Sequence, residues 1–195
     1  MHGLINRSIQ CFLRDTYGAE TWGAVTREAG LGFDSFEPML TYECALTEAV
    51  ITTAAHLLKR SRETLLEDFG TYLVSHPNLE ALRRLLRFGG VTFVDFLHSL
   101  EDLPGRGKLA LPDLDLPVLE VSEHDTASFV LLCRSPLRGG GHVMMGLLRA
   151  MADDYGALVV LDHQGEGASG EVIVIQLLDQ GHAEGRSFEL AARVG

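Results

Sequence analysis

The sequence predicts an α+β fold: an N-terminal helical subdomain followed by a ββαββ antiparallel sheet subdomain. Two observations carry this reading. Apolar residues recur at helical spacing through the first hundred residues, and after Pro112 short β-branched runs come in adjacent pairs on either side of one helical stretch. Helices and strands are segregated along the chain instead of alternating, which argues for an antiparallel sheet and against a parallel βαβ core.

The elements follow in order. Leu4, Ile5, Ile9, Phe12 and Leu13 mark a first helix, which Gly18 can close as the residue after its end. Trp22, Val25 and Ala29 suggest a second, ended by Gly30. Leu46, Val50, His56 and Leu57 suggest a third, from about Cys44 to Lys59. Ser61 is a candidate N-cap for a fourth, with Leu65, Leu66, Phe69, Tyr72 and Leu73 facing inward and His76-Pro77 breaking it. Leu79, Leu82, Leu85 and Leu86 form a short fifth helix that stops at Gly89-Gly90. Thr92 and Asp95 read as a capping pair for a sixth, which Pro104-Gly105 should stop. Residues 117–122 and 128–133 read as a hairpin, and Gly139-Gly140-Gly141 leads into a helix ended by Gly156. The runs 158–161 and 172–178 read as a second hairpin, joined by a Gly-rich loop from Gln164 to Gly170. Residues 1–180 are expected to form one domain, helical over 1–111 and sheet-forming over 112–180, with a tail over 181–195 that could add a strand.

Composition bounds the function. The 195 residues are 46% hydrophobic and 22% charged, which excludes a disordered or fibrous chain. A formal charge of -11 offers no global field for nucleic acid or anionic lipid. No signal peptide and no membrane-length apolar run occur, and Cys11, Cys44 and Cys133 do not form a disulfide framework, so a cytoplasmic protein is expected.

The segment Cys133 to His142, with Arg134, Ser135, Arg138 and three glycines, lies between a strand end and a helix start. Free N–H groups, the helix dipole and two guanidinium groups would favour an anion there. The eight histidines show no HExxH or HxH spacing, so no metal site is expected. The adjacent pairs Asp153-Asp154 and Glu101-Asp102 diverge on a helix and are expected to be solvated. Met39, Met144, Met145 and Met151 are expected in cores. Cys133 has no paired base, so no catalytic set is expected and the chain does not read as an enzyme.

Several segments resemble the heme-nitric oxide/oxygen binding (HNOB, H-NOX) family. They are the opening Met1-His2-Gly3-Leu4-Ile5, the stretch from Leu65 to Tyr72, the helix from Phe96 to Leu103, the linker from Leu109 to Pro117, and the strand–loop–helix from Cys133 to Leu148. The resemblance implies a helical subdomain followed by ββαββ, heme as cofactor, and a role in sensing nitric oxide. It implies signalling through a separate partner, a histidine kinase or a cyclic-dinucleotide enzyme. The family's axial histidine falls at Pro104, which cannot ligate iron, and His98 lies too far round the helix to replace it.

The family's Tyr-x-Ser-x-Arg propionate clamp falls on Cys133, Ser135 and Leu137, with Arg138 one place later. Ile5, Ile9, Val143 and Leu147 match positions lining its apolar pocket. With no tyrosine at Val143, a bound heme would favour NO or CO over oxygen. The resemblance thus implies a sensory or ligand-binding protein with an apolar cavity and a basic rim at Arg134 and Arg138. Its alternatives are a binder of a small apolar or amphipathic acid other than heme, and a cofactor-free structural or interaction protein in which Phe88, Phe93 and Phe96 fill the cavity.

Overall fold

The structure, a computed structural model, describes residues 1–187. Helices α1 (Gly3–Tyr17), α2 (Ala19–Glu28), α3 (Cys44–Leu58), α4 (Arg62–Ser75), α5 (Glu80–Arg87), α6 (Phe93–Ser99) and α7 (Leu103–Ala110) precede the sheet. Strands β1 (Val118–Asp125) and β2 (Ser128–Arg134), helix α8 (Gly140–Tyr155), and strands β3 (Leu158–Gly167) and β4 (Gly170–Asp179) complete it. The four strands form one antiparallel sheet in the order β1-β2-β4-β3. The fold is α+β, as expected.

Local chemistry sets most boundaries. The Nδ1 atom of His2 caps α1 by accepting from Leu4 N–H at 3.1 Å, and Gly18 ends that helix at φ 91°. Ser61 caps α4 through Thr64 N–H, and Thr92 with Asp95 forms a reciprocal capping box at α6. The N-terminal amine donates to the Tyr42 carbonyl at 2.7 Å, which pins the start of the chain to the loop before α3.

Two apolar clusters hold the layers. One joins α1, α2, α3 and α4 around Ile9, Phe12, Trp22, Phe36, Ile51, Leu66 and Phe69. The other sandwiches α8 between the sheet and α6, through Phe93, Phe96, Leu131, Met144, Leu148, Met151, Ile173 and Ile175. Helix α4 meets α8 at backbone distance: a Cβ on Gly70 would strike the Val143 carbonyl, and one on Gly146 would strike the Glu67 carbonyl. Only glycines permit that approach.

Several expectations are corrected. Pro104 does not stop the sixth helix. The chain runs from α6 through a single 3-10 turn (Leu100–Asp102) into α7, so seven helices precede the sheet instead of six. The reason is local. Leu103 N–H donates to the Leu100 carbonyl, which therefore does not need the N–H that Pro104 lacks, and Pro104 then sits in the first turn of α7, where proline is tolerated. Arg106 Nη2 takes the Ser99 carbonyl at 2.6 Å. The predicted Gln164–Gly170 loop is mostly strand. β3 and β4 pair as far as Gly167 and Gly170, leaving a two-residue turn, with a bulge between His163 and Glu166.

Leu85, Phe88 and Met39 are exposed, so Phe88 fills nothing, while Phe93 and Phe96 are fully buried. Asp154 is 1% exposed, not solvated. Its Oδ1 accepts from Arg83 Nε at 2.7 Å, and Arg87 Nη1 lies 3.5 Å from Oδ2. Arg87 also covers the Tyr155 ring at 3.8 Å. Residues 181–187 carry no regular structure, and the suggested strand over 187–194 lies almost wholly outside the described residues.

Candidate functional site

Two places collect the expected site residues. In the helical half, Ile9 is buried in the α1–α4 cluster, with Ile5 and Val143 packed against it. Leu147 and Cys133 belong to the other cluster, so the expected lining residues do not surround one space. The cavity there, lined by Ile9, Phe12, Leu13, Ile51, Leu65, Leu66 and Phe69, has a volume of about 10 Å³. That is room for about one water, whereas cofactor pockets run from roughly 300 to 1,000 Å³.

The second place is an open cleft of about 370 Å³ between the β2–α8 loop and the β3–β4 turn. Cys133, Arg134, Ser135, Leu137, Arg138 and Gly139 form one wall, and Glu166 to Glu171 the other. Arg134 is exposed and pairs with Glu120 of β1. Arg138 is exposed, and no carboxylate pairs with it among the described residues; its carbonyl accepts from Arg62 Nη2 at 2.9 Å. Ser135 Oγ accepts from Leu137 N–H at 3.1 Å, so it closes a turn within the loop. Leu137 is buried against the helical cluster.

The expected anion site at the start of α8 is already filled from within the protein. Gly140 N–H donates to the Leu137 carbonyl and His142 N–H to the Gly139 carbonyl. Gly141 N–H donates to Glu171 Oε1 at 2.9 Å. The positive end of the helix dipole thus holds the carboxylate of Glu171. An external anion would have to rely on the guanidinium groups of Arg134 and Arg138.

Cys133 is buried, and burial, with repulsion from Glu171, pushes its thiol up to about 12. A nucleophile needs the opposite shift.

The sequence reading missed a cluster next to this cleft. His142, His163 and Glu171 bring one ligand atom each within 4.8 Å of one another. Their separation along the chain hid them. The signal was the period-two burial of β4, which puts Glu171 on the same inward face as Ile173 and Ile175. His163 stands opposite Ile173 in β3, so it shares that face.

Comparison with known proteins sets these features in a family. The Haem-NO-binding family profile matches residues 2–163. The chain is 23% identical over 183 residues to "Soluble guanylate cyclase 89Db" of Drosophila melanogaster, which covers 92% of this chain and 27% of that protein. It is 25% identical over 154 residues to "Soluble guanylate cyclase gcy-31" of Caenorhabditis elegans, covering 79% of this chain and 22% of that one. It therefore spans about a quarter of the length of these curated relatives.

Among solved structures, the Fe(II) unliganded H-NOX protein from K. algicida superposes with a TM-score of 0.76 at 18% identity, covering 97% of this chain and all of that one. The H-NOX protein from S. oneidensis in the Fe(II)NO ligation state gives 0.76 at 17% identity, covering 92% and 100%. The family normally binds heme. Of the residues expected to line its pocket, Ile9 alone borders the small cavity of the helical half, while Leu147 and Cys133 pack in the other cluster. With a matching profile across most of its length and the same order of helices and sheet, this chain belongs to the Haem-NO-binding (HNOB, H-NOX) family.

Proposed function

We propose that this chain is a sensory module of its family that has lost histidine-ligated heme and acts by binding a separate signalling protein, either a histidine kinase or a cyclic-dinucleotide enzyme. The closed helical half carries this reading. Side chains of α1, α3 and α4 meet across a cavity of about 10 Å³, and the glycine contact of α4 with α8 draws the two helices together. The residue at the family's axial position supports it further. Pro104 offers no donor atom, and His98 is exposed and faces Glu123 at 3.3 Å. For the interaction role, Phe88 and Val91 in the α5–α6 connection are 68% and 87% exposed, the kind of apolar surface a partner covers. Among the described residues no helix is long and apolar enough to cross a membrane.

The test is output without heme. The heme-free protein, added to purified histidine kinases and cyclic-dinucleotide enzymes of the source organism, should change the activity of one of them, and hemin should leave that effect unaltered. A response that appears only with hemin would overturn the proposal.

One observation favours a second reading, a binder of a small amphipathic acid. The 370 Å³ cleft carries Arg138 without a carboxylate partner among the described residues. On this reading Arg138→Ala should weaken binding of a short-chain fatty acid at least tenfold, about the worth of one charge-assisted hydrogen bond. Unchanged affinity would remove the cleft from consideration.

A further inference from the structure

From the open edge of β3 we infer that this chain pairs with a second copy of itself, β3 antiparallel to β3, so that two four-stranded sheets join into one of eight. The inference depends neither on heme nor on the signalling protein proposed above.

The two edges of the sheet, β1 and β3, are built differently. An edge strand offers unpaired N–H and C=O groups to any strand that reaches it, and proteins block such edges with charge, bulges or covering groups. β1 has all three. Val121 N–H donates to Glu101 Oε1 at 2.8 Å, from the 3-10 turn before α7. Glu120, Glu123 and Asp125 place charge along the strand, which bulges between Glu123 and Asp125. The first half of β3 is different. It reads Leu158-Val159-Val160-Leu161, with no charge. Among the described residues, no backbone or side-chain group bonds to the free side of Val159 or Leu161.

Strand parity shows which groups are free. Leu177 N–H donates to the Ala127 carbonyl, on the β2 side of β4. By the period of two, Val174 and Gln176 turn their N–H and C=O towards β3, where they face Asp162 and Val160. Val159 and Leu161 therefore point theirs away from the sheet.

A two-fold axis at Val160 matches these groups to a second copy. Val159 then faces Leu161 of the second copy and exchanges both N–H···O bonds with it, and symmetry doubles the pair of bonds to four. Val160 faces its own counterpart. Asp162 falls opposite Leu158, so no carboxylate meets another. An axis at Leu161 would instead set Val160 against Asp162 and Val159 against His163. Burial agrees with the first arrangement. Val160 is 52% exposed, and Val159 and Leu161 are only partly buried at the rim of the core under α8. Pairing covers Val160 on the outer face of the sheet, and Val159 with Leu161 on the α8 face.

The chain's own C-terminal segment leads away from this edge. Ala183 N–H donates to the Gly156 carbonyl, Arg186 N–H to the Asp154 carbonyl, and the Ser187 carbonyl accepts from Arg83 on α5. It thus runs back along the end of α8, away from Leu158. Register shifts at Leu158/Val159 and between His163 and Glu166 confine regular pairing to a short stretch. Such a contact stays below the roughly 1,200 Å² of a standard interface, so the dimer should be weak, with a Kd of about 1–100 μM.

The experiment is sedimentation of the untagged full chain, from tenfold below to tenfold above that range. A reversible monomer–dimer equilibrium should appear. Val160→Lys sets two like charges against each other and should weaken the dimer at least tenfold. Val174→Lys, on the same outer face but inside the sheet, should leave it unchanged. Position 160 is a non-hydrogen-bonded pair with Cα atoms about 4.5 Å apart, within reach of a disulfide. In a Cys11→Ser/Cys44→Ser background, Val160→Cys should therefore give a linked dimer on mild oxidation, and the exposed Leu178→Cys should not. Amide exchange at Val159 and Leu161 should be fast in the dilute monomer and slow in the dimer. Circular dichroism establishes that each variant is folded. A parent chain that stays monomeric, a dimer unmoved by Val160→Lys, or loss of the dimer in folded Val174→Lys would each overturn the inference. So would cross-linking of Val160→Cys no faster than that of Leu178→Cys, or slow exchange at Val159 and Leu161 in the monomer, which would show the edge already covered by the chain itself.

Discussion

Replacing Asp154 tests how the end of α8 is tied to the helical half. Its carboxylate is 1% exposed and faces two arginines from α5, one turn apart: Arg83 at 2.7 Å and Arg87 at 3.5 Å. Burial alone would lower Arg83, but the hydrogen bond and the attraction of Asp154, then Glu80, outweigh it and raise it overall. Asp154→Asn keeps the shape and one oxygen but removes the charge. Arg83, 8% exposed, then keeps only the half-exposed Glu80 as an anionic partner.

Breaking one side of a buried ion pair costs about 3–5 kcal/mol, and the remaining Glu80 contact places the expected loss at the lower end, about 3 kcal/mol. For a domain of this size that lowers Tm by roughly 6–12 °C. The assay is urea and thermal unfolding of the parent, Asp154→Asn, Arg83→Met and the double variant. The cycle should give a coupling of about 2 kcal/mol, because the second change removes a charge that the first has already orphaned. A loss under about 0.5 kcal/mol for Asp154→Asn, the range of ordinary surface changes, would refute the reasoning.

Three further outcomes are expected. Gly146→Ala puts a methyl group against the Glu67 carbonyl and should destabilise the protein by about 1–3 kcal/mol through forced separation of α4 and α8; an unchanged melting curve would show that the contact is not tight. Cys133 keeps its proton in the folded chain to about 12, against 9.0 for a free thiol, so the unfolded chain loses it first as pH rises. Stability from this group is therefore complete below about 9 and declines from there towards 12. Urea unfolding of the parent and of Cys133→Ala from pH 8 upward should show their difference shrinking with pH, and a constant difference would contradict it. At pH 8 the exposed Cys44 should react with a thiol reagent in the native state and Cys133 should not.

Most of the fold could be read because its boundaries rest on local chemistry. Ser61, Thr92 with Asp95, Gly18 and Gly156 all act within a turn of their own position, and a linear reading reaches that far. Errors came where a distant or neighbouring group changed the local rule. Pro104 looked like a stop because the 3-10 turn that satisfies the Leu100 carbonyl has no sequence mark of its own. Asp154 looked solvated beside Asp153, since nothing near it in sequence announces Arg83 and Arg87. The alternation of those arginines with Leu82 and Leu86 on α5 was the available hint.

The candidate sites show the same contrast. The loop from Arg134 to Arg138 was found, but the carboxylate that fills the α8 N-terminus comes from Glu171, thirty residues on from Gly141. The pairing of His142 with His163 depends on the packing of α8 over the strands, and no motif spacing records that.

The proposal on which the rest depends is that this chain has lost histidine-ligated heme. The most direct measurement is a hemin titration of the purified chain, followed by absorption before and after reduction and addition of NO. The account predicts no stoichiometric Soret band and no NO-dependent shift, because Pro104, which falls where the resemblance implies the family's axial histidine, has no side-chain donor for iron. A one-to-one Soret band that shifts with NO would contradict it.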